Sequence, residues 1–369
     1  MHLFRRALAL AVGVLSALLV GFAPSPAGAS SAVGAVYVLS NQVGGNSVIE
    51  YTRGAGGDLT PAGTYATGGT GTSGGLGSQG AIIVDRAERY VYAVNAGSQS
   101  ITSFRVNPRG GLDRVGTVAS GGAMPTSLTT DGRFLYVLNA GNPGNITGFS
   151  ISAGALTPLA GSTRALSGTA TAPGQVSFTP DGRRLVVTER ATNQIDVYEV
   201  GRDGLASGPT VSPSPGVTPF GFDFDRRGHA IVSEAFGGQA GASAVSSLAV
   251  SSSGVSVISA SVPTTETAAC WVVTTIDGRY AYAGNAGSSS ISGYAIAPDG
   301  TLTLLTPGGK TASTAAGATD LATSRDSRFL YARISNGTVG AFAIEADGSL
   351  TALPAAPGLP AGAAGIAAR

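Results

Sequence analysis

The chain has 369 residues, 12% of them charged and 43% hydrophobic, with a formal net charge of +1. So neutral a chain, with Lys310 as its single lysine, has no basic footprint for nucleic acid. Its hydrophobic share also excludes a disordered linker despite 56 Gly and 19 Pro, and short strands joined by tight turns satisfy both counts.

Residues 1–29 read as a signal peptide. Arg5 and Arg6 make a basic start, residues 7–23 an apolar run, and Ala27-Gly28-Ala29 a small-residue cleavage site. The run is short for a membrane span of roughly 20 residues, and Pro24 and Pro26 end it. The mature chain is expected to begin near Ser30, with no transmembrane segment after signal removal. Secretion to the extracellular space or the cell envelope follows. Without Arg5 and Arg6 the balance is 20 basic residues against 21 acidic, a net charge near −1. Cys270 is the only cysteine, so no intrachain disulfide forms; within apolar residues 268–273 it reads as a buried, inert thiol.

From residue 30 onward one sentence repeats. Its clearest copy, residues 131–152, reads DGRFLYVLNAGNPGNITGFSIS: a turn, an apolar strand, a tight connection and a second strand. Copies follow Arg89 and Asp277, and degenerate ones follow Asp181, Asp225 and Asp326. The opening Asp recurs at 85, 131, 181, 225, 277 and 326, at intervals of 46, 50, 44, 52 and 49 residues. Such periods signal propeller blades, each a four-stranded antiparallel sheet with strands A to D. Asp-Gly suits the A–B turn because a tight hairpin needs positive φ; Asp203-Gly204, Asp299-Gly300 and Asp347-Gly348 repeat it between C and D.

Strand B is apolar almost throughout, as expected when both faces are covered, whereas strand C alternates (Ile101, Ser103, Arg105 against Thr102, Phe104, Val106), as expected nearer the rim. Six complete units begin near Gly80, Pro125, Pro173, Pro219, Ala269 and Ala318. The mature N-terminus supplies strands B, C and D of a seventh, and residues 363–368 supply its A strand. The expected fold is therefore all-β: a seven-bladed β-propeller over residues 30–369, a single domain closed by its own ends.

The repeats resemble the lactonase family of seven-bladed propellers, which includes bacterial 6-phosphogluconolactonase and fungal carboxymuconate cyclase. They are similar as well to surface-layer propellers named after a Tyr-Val-Thr-Asn motif. The likeness is carried by residues 131–139, then Asn145-Ile146-Thr147-Gly148-Phe149, then Leu156-Thr157-Pro158-Leu159, and it extends over the mature chain. The resemblance implies a catalytic set of a His, two Arg and a Glu. The His position falls at Gly174 or Gln175, one Arg at Gln194, and an Arg-His pair at Phe220-Gly221. Only the Glu is present, as Glu234.

The residues themselves point to a few candidates. His229, the only histidine of the mature chain, adjoins an A–B turn and reads as a surface residue, away from the B–C and D–A loops where a propeller channel usually opens. Gly71-Thr72-Ser73-Gly74-Gly75 imitates a nucleophile elbow, but no helix follows it. Asn145 and Asn336 head glycosylation sequons. Strand B closes on Asn at 95, 139 and 285, which reads as turn chemistry, but on Glu at 189 and 234. Arg190 follows the first Glu, and Asp320 is expected at the same channel mouth. Such carboxylates could serve as a general base or hold a divalent cation, and no other cofactor is expected.

Two functions follow. One is a monomeric binding or interaction protein that takes a small molecule, glycan or protein at the channel face through Arg190, Gln194 and Asp320. The other is a lactone-ring hydrolase with an altered site built on Glu234 and Glu189.

Overall fold

The computed structural model describes residues 32–108 and 110–369; the predicted signal peptide and its cleavage site lie outside them. Seven antiparallel sheets of four strands follow one another around a ring. The six continuous blades begin with inner strands Ile82–Val84, Pro125–Thr130, Pro173–Phe178, Pro219–Phe224, Ala269–Thr274 and Ala318–Thr323, and we number them 2 to 7. In blades 3 and 6 the outer strand is interrupted and resumes as Arg164–Ala165 and Ala312–Ser313.

Blade 1 is assembled from both ends of the chain. Gly34–Leu39, Ser47–Arg53 and Leu59–Ala66 are its B, C and D strands, and Ala364–Ala368 is its A strand. Val38 pairs with Ile366 and Tyr37 with Ala367, and Arg369 N donates to Ala35 O at 2.9 Å. No sheet edge is left open at the seam.

Neighbouring blades are fastened by a recurring contact. In blades 3, 6 and 7 the third residue of strand B is a buried tyrosine whose hydroxyl donates to the backbone of the next blade's C–D turn. Tyr136 reaches Gly204 O at 2.7 Å, Tyr282 reaches Gly348 O at 2.9 Å, and Tyr331 reaches Gly57 O at 3.0 Å. The turn glycine is needed twice over. Gly348 has φ +84°, and a Cβ there would lie 2.6 Å from the Tyr280 ring.

One expectation is corrected. Strand C is not half exposed: the first five residues of Ser100–Val106 are buried, and alternating exposure appears in strand D, Leu112–Ala119. The hydroxyl face of strand C packs on the preceding blade, where Thr102 Oγ1 donates to Thr67 O at 2.9 Å.

Deleting residues 360–369 removes the innermost strand of blade 1 together with buried Ile366. The expected result is a fall in melting temperature on the order of 10 °C or more, read by thermal denaturation.

Candidate functional site

Strand A of every blade runs from the D–A loops towards the A–B turns, and the central channel differs at its two ends. At the D–A end the connection between blades 1 and 2 turns inward. Ser78 Oγ donates to Thr126 O at 2.7 Å in blade 3, and Gln79 N donates to Gly174 O at 3.1 Å in blade 4. The Gln79 amide then reaches blade 6 and copies a peptide group: Nε2 donates to Val272 O at 2.7 Å, and Oε1 accepts Val272 N at 3.0 Å. Trp271 Nε1 closes on Ser78 O at 3.0 Å. Gln79 is therefore a crossbar through the ring.

The residues lining this end explain the missing side chains. A Cβ on Gly221 would strike Gln79 Oε1 and lie 2.6 Å from Cys270 O, and one on Gly174 would lie 2.8 Å from Phe220 O. Gln175, the other candidate for the histidine position, accepts Phe222 N at 2.7 Å. Arg190 packs at this end. Its Nε donates to Ala172 O at 2.9 Å, and its guanidinium stacks 4.8 Å from the Phe220 ring centroid. Cys270 is buried; desolvation pushes its thiol up to about 12, against the opposing charge of Arg190.

Each acidic candidate is enclosed within its own surroundings. Glu234 Oε1 accepts Gly216 N at 2.9 Å and Ser246 Oγ at 2.6 Å; Oε2 accepts Ser261 Oγ at 2.7 Å. Burial raises its pKa, and the hydrogen bonds oppose that rise. Its register explains the arrangement. Asn285 sits opposite Ser290 and donates to Ser292 Oγ, two residues further along strand C. Glu234 sits opposite Ala244 and takes its bond from Ser246, again two residues further. The Asn/Glu position is thus a tie from strand B to strand C rather than the turn chemistry expected of it, and a 3₁₀ turn, Phe236–Gly238, lies in the enlarged B–C connection.

Blade 4 carries the same tie with an acid at both ends. Glu189 Oε1 accepts Ser167 N at 2.9 Å, and Oε2 accepts Thr192 Oγ1 at 2.5 Å. Asp196, fully buried beside it, accepts the same Ser167 N at 3.1 Å. Burial and then the neighbouring Glu189 push the Asp196 carboxyl above the usual carboxylate range. Gln194 pairs opposite Glu189 at the start of strand C and is half-buried.

Asp320 is buried in the A strand of blade 7, at an irregularity between Ala318 and Leu321. Its Oδ1 accepts Leu321 N at 2.9 Å, and Oδ2 has no partner among the described residues. Desolvation lifts its pKa to about 8 despite the opposing charge of Arg333. Glu189, Glu234 and Asp320 share no hydrogen-bond partner. Among the described residues no group of three or more His, Cys, Asp or Glu is placed to hold a metal ion. His229 is not a plain surface residue: its ring is 17% exposed and its Nδ1 lies 2.9 Å from Asp225 Oδ2.

Sequence reasoning missed Asp196, Gln79 and Trp271. The one available signal for the crossbar was the unusual length of the Gly-rich connection between Ala66 and Ile82.

Residues 33–171 match the family model described as Lactonase, 7-bladed beta-propeller. The resemblance is to the lactonase propellers. No curated protein matches the chain. Among solved structures, a Lactobacillus plantarum protein superposes with a TM-score of 0.73 at 19% identity, covering 91% of this chain and 99% of that one. A Bacteroides fragilis protein solved as a candidate 6-phosphogluconolactonase gives 0.71 at 20% identity, covering 94% and 99%. The Pseudomonas aeruginosa periplasmic gluconolactonase gives 0.69 at 19% identity, covering 89% and 98%. At these identities the superpositions establish a shared lactonase-type propeller fold.

Two predictions arise from this geometry. Gln79→Ala strands the buried N–H and carbonyl of Val272, so urea denaturation should show a loss of about 2 kcal/mol or more. Asp320 has a folded pKa raised from 3.8 to about 8, so its neutral form favours the fold. That contribution is complete below about pH 4 and is lost as pH rises through about 8. Asp320→Asn, neutral throughout, should flatten the decline in unfolding free energy between about pH 5 and about pH 9, measured by urea denaturation at both values.

Proposed function

We propose that this lactonase-type propeller is a binding protein with a degenerate family site, exported after removal of residues 1–29. The observation carrying this reading is the crossbar: Ser78 and Gln79 occupy the channel end where the resemblance places the catalytic histidine and arginines. Gly174 and Gly221 are packed too closely against Phe220 O and Cys270 O to carry such side chains. The retained Glu234 has both oxygens committed to Gly216, Ser246 and Ser261, which fits a structural tie better than a free base. Export draws support from the basic and apolar pattern of residues 1–29. The periplasmic placement named for the Pseudomonas aeruginosa structure points the same way.

The alternative is a lactone-ring hydrolase built on Glu234 and Glu189, with or without a divalent cation. The purified mature chain, given phosphorylated and unphosphorylated sugar lactones with and without Mg²⁺ or Ca²⁺, should show no ring opening above the spontaneous rate. Turnover that disappears in Glu234→Gln would establish the hydrolase instead.

A further inference from the structure

Where strand B closes on asparagine, in blades 2, 3 and 6, the side chain is buried and the next residue is alanine: Asn95-Ala96, Asn139-Ala140 and Asn285-Ala286. Each amide nitrogen is engaged, that of Asn285 by Ser290 Oγ at 3.0 Å for instance. Blade 7 departs from this pattern. Its strand B, Phe329–Ile334, closes on isoleucine, and the asparagine stands two residues later in the B–C turn. There Asn336 is exposed, its Nδ2 has no partner among the described residues, and Gly337 follows it.

This placement has a chemistry of its own. An asparagine side chain is open to attack by the backbone nitrogen of the following residue, which makes asparagine thermolabile. A Cβ on that residue obstructs the approach. Asn336 is the only one of the chain's ten asparagines that precedes a glycine. Asn142, the other exposed asparagine, precedes Pro143, whose nitrogen carries no hydrogen. The turn itself requires glycine at 337: its φ is +87°, and a Cβ there would lie 2.9 Å from Leu359 O. Thr338 Oγ1 donates to Asn336 Oδ1 at 2.8 Å and so draws electrons from the amide carbon. The restraint to be overcome is the turn bond from Gly337 N to Ile334 O at 3.1 Å.

What packs on this turn gives the reaction a consequence. Gly337 O accepts Leu359 N at 3.0 Å. Leu359 is buried with Ala363 and Ile366 in the core between blades 7 and 1, on the segment that delivers the seam strand Ala364–Ala368.

We propose that Asn336 is a site of spontaneous deamidation whose β-linked product loosens the seam of the ring. Gly337 N bonds to Asn336 Cγ, the Cγ–Nδ2 bond breaks, and the amide nitrogen leaves as ammonia with the proton from Gly337 N. Solvent water then opens the cyclic imide. Opening at the main-chain carbonyl routes the backbone through the side chain, which adds a carboxylate and lengthens the turn by a methylene. That extra length displaces Gly337 O from Leu359 N. The modification goes beyond the binding reading and does not depend on it.

Storing the purified chain beside Asn336→Gln, whose side chain would have to close a larger ring, tests the proposal. Both are held warm at mildly alkaline pH, then compared by peptide mass mapping and thermal denaturation. The wild-type peptide spanning residue 336 should gain the mass of an acid over an amide and separate into two products. Asn336→Gln should keep its mass. The stored wild-type chain should melt about 2 °C below the fresh one, the loss of roughly one hydrogen bond in a chain of this size. Any fall shared with stored Asn336→Gln belongs to the Asp-Gly turns, which isomerise without change of mass, and is subtracted. Fresh Asn336→Asp, which adds the charge without lengthening the backbone, should melt with the fresh wild-type chain. Conversion of other asparagines before Asn336, or none at all, would overturn the modification. Equal melting before and after conversion, or an equal fall in fresh Asn336→Asp, would overturn its effect on the seam.

Discussion

The ring depends on how its blades are joined, and three of the joints are closed by one contact: a tyrosine hydroxyl from strand B reaching the carbonyl of a left-handed glycine in the next blade. A single four-stranded sheet cannot bury both of its faces. Tyr136, Tyr282 and Tyr331 each carry an aromatic ring into the inter-blade layer, and a phenol buried there needs an acceptor. The C–D turn supplies it at Gly204, Gly348 and Gly57, where the absence of Cβ lets the neighbour's aromatic residues close in. The last of these contacts joins blade 7 to blade 1, so the seam is sealed by the same means as the joints between blades 3 and 4 and between blades 6 and 7.

Seven blades leave a central channel, and here its two ends have diverged. At one end Gln79 substitutes for a backbone peptide and ties the ring across its interior. Gly174 and Gly221 both belong to that arrangement: Gly174 O accepts Gln79 N and its Cα is closed in by Phe220 O, while a side chain at Gly221 cannot coexist with the Gln79 amide. The departures from the family's catalytic pattern are therefore linked by packing rather than scattered. At the other end the same amide lines an open cavity of about 420 Å³.

The blades were legible because their chemistry is local. Asp-Gly followed by an apolar run specifies a turn and a buried strand wherever it occurs, and the alanine-rich C-terminus could be assigned to blade 1 by counting strands. The candidate site was less legible because its geometry is not local. Gln79 looks like any polar residue in a glycine loop until Val272, 193 residues away, is placed beside it. Glu234 stands out as an exception to Asn95, Asn139 and Asn285, yet what it does is decided by Ser246 and Ser261 on later strands. The exposure of strand C was misjudged for a related reason: its hydroxyl residues face a neighbouring blade, which they wet with hydrogen bonds instead of water.

The split origin of blade 1 has a consequence for the order of events in time. Strand Gly34–Leu39 is made long before its partner Ala364–Ala368, with blades 2 to 7 between them. Blades 2 to 7 can each form as their own segment appears, from contacts close in sequence. The circle cannot close until Ala364–Ala368 has been made, and the loop entropy of bringing the two strands together falls on that step. Until then the first sheet waits with an unpaired edge. A chain built this way stays an open arc until its seam strand has been made.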